Sequence, residues 1–155
     1  MKLYLIRHGQ AVQAGPSMPD GSRHLTLDGR QITRRVTSVM RGEGVELTAV
    51  LCSPLVRAMQ TAELLAAGLD YFGTIESFSG LVPGCEPNVA AGELMSREGS
   101  IAVVSHEPTV SSLAAYLLGV PSFRPFRPSQ VCLIEDGKPV WRLDPRSFQL
   151  SAQFA

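Results

Sequence analysis

The sequence predicts an α/β fold, a three-layer α/β/α sandwich with a mostly parallel sheet and a C-terminal antiparallel hairpin. Three observations predict it. Short, continuously apolar runs recur at Leu3-Ile6, Ala49-Cys52 and Ile101-Val104, the pattern of strands covered on both faces. Amphipathic helical stretches fall between and after them. A single Asp-Gly pair near the end, Asp136-Gly137, lies between two strand-like segments, the signal of a tight hairpin.

The elements follow in order. After the first strand, residues 12–24 are rich in Gly and Pro and read as a surface loop. Ile32, Val36, Val39 and Met40 then share one helical face. The second strand runs into Ser53-Pro54, which reads as N-cap and first helical residue. Leu55, Met59, Ala62 and Leu65 form the apolar face of the helix that follows. A further helix is expected around Asn88-Arg97. After the third strand, Val110, Leu113, Ala114, Leu117 and Leu118 line another helix, which Gly119 and Pro121 should stop. Val131-Glu135 and Lys138-Leu143 flank the Asp-Gly turn, and residues 144–155 read as a tail. No repeat or internal linker divides the chain, so residues 1–155 are expected to form one domain.

Composition narrows the function. Apolar residues make up 45% and charged residues 18% of the chain, too apolar for disorder. Lys and Arg number 14 against 14 Asp and Glu, a balance that gives no electrostatic case for nucleic acid or an anionic membrane surface. The apolar amino terminus is broken at once by Arg7 and His8, too early for a signal peptide or a membrane span. Cys52, Cys85 and Cys132 are sparse and unpaired in spacing, which suits a reducing compartment. A cytoplasmic protein is expected. Cys52 and Cys132 sit in apolar runs and read as buried fillers.

Chemistry gathers where strands end. Arg7-His8-Gly9 follows the first strand, Ser53-Pro54 and then Arg57 the second, and Ser105-His106 the third. Parallel strands share one carboxyl edge, where ligands bind. Two helix N-termini there add unpaired N–H groups suited to phosphate. Arginine supplies a planar fork for phosphate oxygens, and an unprotonated histidine can attack phosphorus. No cluster of acidic residues has metal-ligand spacing, so the positive charge is expected from Arg and the second His rather than from a metal. Each residue also has a plainer reading. Arg57 alone would be a solvated helix residue, His106 one satisfied by a helix end, His24 a loop histidine. Ser53 is a cap, a phosphate ligand, or both. Arg23 either pins the 12–24 loop or reaches a substrate.

These same residues resemble a known family. Arg7-His8-Gly9 is similar to the RHG signature of the histidine phosphatase superfamily, Ser53-Pro54-x-x-Arg57-Ala58-x-Gln60-Thr61 to its second motif, and Ser105-His106 to its third. Arg23-His24-Leu25-Thr26-Leu27-Asp28-Gly29 and Val103-Val104-Ser105-His106-Glu107-Pro108 extend the resemblance to short bacterial phosphohistidine phosphatases of the SixA type. The match runs in order over almost the whole chain. It implies that His8 is the nucleophile, that Arg7 and Arg57 hold the phosphoryl oxygens, and that His106 stabilises their charge. It implies that Gly9 lets the backbone approach closely and that no metal or organic cofactor takes part. Relatives draw a leaving-group acid from a later loop, here Glu86, with Glu107 as the alternative.

The expected activity is hydrolysis of phosphohistidine, or a similar phosphoryl group, on a protein. A small phosphomonoester is the alternative substrate, and a non-catalytic phosphoprotein-binding module the alternative class. A chain this short leaves little for a roof, so an open crevice is expected.

Overall fold

The computed structural model describes residues 1–154. Strands β1 (Lys2–Arg7), β2 (Ala49–Cys52), β3 (Ile75–Ser77), β4 (Ser100–Ser105), β5 (Val131–Glu135), β6 (Lys138–Leu143) and β7 (Leu150–Ser151) form one sheet in the order β3-β2-β4-β1-β5-β6-β7. β3, β2, β4 and β1 are parallel; β5, β6 and β7 add antiparallel strands beside β1. Helices α1 (Leu27–Gly42), α2 (Val56–Gly68), α3 (Pro87–Met95) and α4 (Thr109–Leu118) complete the fold.

Alternation along the strands sorts the core into two layers. Tyr4, Ile6, Val50, Cys52, Ala102 and Val104 meet Val36 and Met40 of α1 and Ala58, Ala62 and Leu65 of α2. Leu3, Leu5, Leu51, Ile101 and Val103 meet Ala90, Ala91 and Leu94 of α3 and Val110, Leu113 and Ala114 of α4. Three layers result, as the sequence predicts. Cys52 and Cys132 are buried free thiols, pushed up to about 12 by burial.

The sequence-level punctuation holds at two places. Asp136 and Gly137 turn the β5–β6 hairpin with φ of 48° and 74°, the left-handed conformation such a two-residue turn needs. Gly119 closes α4 with φ 65°. Elsewhere the structure departs from expectation. Strand β3 is missed because it is only three residues long and half-exposed. The tail, whose order the sequence left open, pairs Leu150 with Leu143 as β7. Helix α2 starts at Val56 rather than Pro54, because Leu55 is extended at φ −71°, ψ 143° and leaves Ser53 outside the helix.

The start of α1 is set against the end of β1. Thr26 caps it, accepting from the Gly29 N–H at 2.9 Å. Gly9 and Gly29 let the two segments touch. A Cβ on Gly9 would lie 2.7 Å from Thr33 Oγ1, and one on Gly29 would be driven into the Gln10 carbonyl. Gly29→Ala is therefore expected to destabilise the fold by about 1–3 kcal/mol, the scale of overpacking against backbone, despite alanine's better helix propensity. The denaturation midpoint measures this; an unchanged or higher midpoint would show that the segments have room to part.

Candidate active site

The residues singled out by sequence converge where β1, β2 and β4 end. His8 leaves β1 with its N–H bonded to the Ser105 carbonyl at 3.0 Å. Its ring centroid lies 4.9 Å from that of His106. His8, His106, Arg57 and Ser53 are all buried.

Hydrogen bonds fix the protonation state of His8. Its Nδ1 lies 2.7 Å from the Gly9 carbonyl oxygen, which can only accept, so Nδ1 carries the proton. Burial pushes the imidazole down to about 4, and the charges of Arg57, Arg7 and Arg23 push the same way, against the Gly9 bond. The ring is therefore neutral near pH 7, with its lone pair on Nε2. Burial, His8 and Arg57 push His106 down to about 3. His106 Nε2 meets Ser53 Oγ at 2.7 Å, while its Nδ1 is buried and bonds to no described atom. Arg7 Nε and Arg57 Nε are buried and unpartnered as well. Three orphaned polar atoms thus belong to residues at or after the ends of β1, β2 and β4, an arrangement rich in donors for an anion.

Supporting residues hold this geometry. Gly9 N–H donates to Thr61 Oγ1 at 3.0 Å, and Thr61 Oγ1 donates to the Arg57 carbonyl at 2.8 Å. One hydroxyl thereby couples the end of β1 to the first turn of α2. Arg7 Nη1 donates to the Phe126 carbonyl at 2.8 Å, and the Phe126 N–H donates to Glu107 Oε1 at 2.9 Å. Glu107 Oε2 accepts from Ser111 Oγ at 2.6 Å, so both its oxygens are committed to structure. Ser129, at φ 66°, donates its N–H to the carbonyls of both Arg7 and His8.

The remaining site candidates divide. Ser53 Oγ accepts weakly from Leu55 N–H at 3.3 Å but caps no helix; it meets His106 instead. Arg23 pins the loop, with Nε on the Val12 carbonyl at 2.7 Å and Nη1 on Asp20 Oδ1 at 3.1 Å. Glu86 is exposed at the start of α3, with no side-chain cap bond.

Sequence reasoning missed Asp20. Its backbone carbonyl accepts from Arg57 Nη1 at 2.9 Å and its Oδ2 from Arg57 Nη2 at 3.3 Å. Both ends of the guanidinium fork are thus engaged by one residue of the turn Asp20–Ser22. The Arg23 bond, with Arg57 beside it, holds the Asp20 carboxyl below its ordinary range. A loop carboxylate is thus drawn onto the buried Arg57, a contact that the expectation of an open crevice did not include. The one available signal was an acid three residues before Arg23. No group of three or more His, Cys, Asp or Glu able to hold a metal gathers among the described residues, and three arginines around two imidazoles repel a cation. No helix among them is long and apolar enough to cross a membrane.

Comparison with known proteins agrees with this geometry. A sequence model of the histidine phosphatase superfamily (branch 1) matches residues 3–82. Phosphohistidine phosphatase SixA of Escherichia coli is 30% identical over 160 residues, covering 97% of this chain and 98% of its own. A SixA homolog of Haemophilus influenzae is 28% identical over 152 residues, 88% of this chain and 90% of its own. A solved structure of the protein histidine phosphatase SixA complexed with tungstate superposes with a TM-score of 0.85 at 28% identity, covering 96% of this chain and all of that one.

Two outcomes are expected. Between the ordinary histidine value of 6.5 and the folded values of about 4 and 3, the unfolded chain binds protons that the folded chain refuses. Stability should therefore fall as pH falls below about 6.5, by on the order of 1–2 kcal/mol per histidine at pH 5. Chemical denaturation at pH 7 and pH 5 measures it, and a His8→Gln/His106→Gln variant should lose most of the slope. Asp20→Asn should bind inorganic phosphate about two- to fivefold more tightly, since the competing pair, whose Asp20 carboxylate stands in solvent, is worth at most about 1 kcal/mol. Weaker phosphate binding in that variant would show that Asp20 assists the site instead of competing for it.

Proposed function

The chain belongs to the histidine phosphatase superfamily, and on that footing we propose that it hydrolyses phosphohistidine, or a similar phosphoryl group, on a protein through a phospho-His8 intermediate. The observation that carries this reading is the state of His8: a neutral imidazole whose Nδ1–H is tied to the Gly9 carbonyl, leaving the Nε2 lone pair free beside buried guanidiniums. SixA proteins are phosphohistidine phosphatases by name, and one binds tungstate, a tetrahedral oxyanion; this chain covers nearly all of their length.

The geometry supports the following chemistry. Arg7 and Arg57 receive the phosphoryl oxygens, with Asp20 displaced from the Arg57 fork. His8 Nε2 attacks phosphorus as the bond to the leaving group breaks, and that bond's electrons depart with the leaving group. His106 presents Nδ1–H to the transferred group if Ser53 Oγ donates to its Nε2. Water then attacks phospho-His8, releasing inorganic phosphate and regenerating the neutral ring. Positioning and charge neutralisation supply most of the acceleration in phosphoryl transfer. Glu86 is the proposed leaving-group acid, since Glu107 is held by Phe126 N–H and Ser111 Oγ. An imidazole leaving group can take its proton from solvent, so phosphohistidine needs that acid least. Residues 1–155 act as one catalytic domain in this reading, with the two cores sharing a single sheet.

A small phosphomonoester is the second reading. The contact of Asp20 with both ends of the Arg57 fork favours it, because a small ester need displace less of the Asp20–Ser22 turn than a protein side chain does.

Side-by-side turnover of a phosphohistidine protein, a phosphohistidine peptide and small esters tests both readings. The protein substrate is expected to show the highest kcat/KM, with an acid-labile phosphoryl group trapped on His8 after rapid quench. His8→Ala should lose several powers of ten in turnover while keeping the wild-type Tm at pH 7. Near-normal turnover in that folded variant would overturn the mechanism; preference for a small ester would establish the second reading.

A further inference from the structure

Beside the catalytic residues, on the same edge of the sheet, lies a second basic pocket that the proposed chemistry does not use. It has a volume of 190 Å³ and is lined by Arg124, Arg127, Gln130, Arg142, Asp144 and Ser151 among others. Among the described residues, ion pairs account for Arg23, Arg41, Arg57 and Arg97 but for none of these three arginines. Arg142 is the telling member. It projects from β6 opposite Cys132 of β5 and is only 6% exposed.

A buried guanidinium ordinarily has a carboxylate partner. Arg142 donates no hydrogen bond to any described residue, and its Nε is sealed from solvent without a partner. Aromatic faces offset part of the desolvation, with its Cζ 5.2 Å from the Phe123 centroid and 5.6 Å from that of Phe126. Asp144 is the one acid lining the pocket, and it spends Oδ1 on the Arg146 N–H at 2.8 Å. Gln130 accepts from Arg127 N–H through Oε1, which leaves its amide N–H groups free to donate.

We propose that this pocket is a second oxyanion-binding site, built to take a carboxylate or phosphoryl group on the forks of Arg124, Arg127 and Arg142. Its position ties it to the reaction. Phe126, set between the lining residues Pro125 and Arg127, links the two places: its carbonyl is held by Arg7 and its ring faces Arg142. An anion here lies next to the catalytic crevice, within reach of a molecule already bound there. Two sources share this chemistry: an acidic group on the protein that carries the phosphoryl group, which rests on the function proposed above, and a free phosphorylated or carboxylated metabolite.

The variant Arg124→Gln/Arg127→Gln separates them, since both side chains stand outside the catalytic set and on an irregular segment. Calorimetric titration of the whole protein with inorganic phosphate at low salt should find two sites in wild type. The variant should keep one site unchanged and weaken the other by about tenfold. In parallel, kcat and KM are measured for a phosphohistidine protein and for nitrophenyl phosphate. A rise of about tenfold in KM for the protein alone, with kcat and the small ester unaffected, identifies the substrate's own acidic group as the occupant. A change confined to phosphate titration identifies a free anion. Identical titrations and identical kinetics in the two proteins overturn the proposal. If wild type turns over no phosphoprotein, the titration still decides this inference while the proposed function fails separately. Arg142→Lys gives a second check: it keeps the charge but loses the fork, and should weaken only the second phosphate site.

Discussion

Everything at the site depends on the clamp that holds the chain as it leaves β1. Four contacts from three sides fix residues Arg7 to Gly9. His8 N–H bonds to Ser105 of β4, and Arg7 N–H to the Gln130 carbonyl at the entry to β5. Ser129 N–H bridges the Arg7 and His8 carbonyls, and Gly9 N–H reaches Thr61 of α2. β1 is central because β4 pairs with it in parallel while β5 pairs with it antiparallel. A histidine mounted there is held by the backbone on both sides, so its ring position depends on packing more than on loop motion.

That rigidity has an electrostatic counterpart. Two imidazoles and a guanidinium are buried together without a buried acid. Desolvation resolves the conflict for the histidines by keeping them neutral, which is also the form a nucleophile requires. Arg57 cannot shed its proton, so it draws a counter-ion from the surface, and Asp20 answers. The same demand therefore explains both the affinity expected for an oxyanion and the contact of Asp20 with Arg57. Arg142 shows the contrasting solution: among the described residues no carboxylate comes within ion-pair distance, and aromatic faces carry part of the load.

The glycines illustrate how a sequence motif and its cause can differ. Gly9 was expected to admit a substrate's close approach. In the structure the neighbour pressed against it is Thr33 of α1, with the Gly29 carbonyl behind it. Gly29, quoted as part of a pattern, proves to be where α1 meets the Gln10 backbone. Both glycines hold α1 against the end of β1.

The sequence alone determined the layered α/β architecture, because short uninterrupted apolar runs alternating with amphipathic helices fit a doubly covered sheet. It also determined that Arg7, His8, Ser53, Arg57 and His106 would meet, because each follows a strand and parallel strands share one carboxyl edge. Strand β3 and the ordered β7 escaped notice, being too short for any periodicity to register. Tertiary structure alone decided which nitrogen of His8 is free, that Glu107 is committed to Phe126 and Ser111, and that Asp20 sits on Arg57. It also brought Arg124, Arg127 and Arg142 together from two separate segments. Proximity across sequence and competition between charges for one partner leave no local pattern, so only the packed chain settles them.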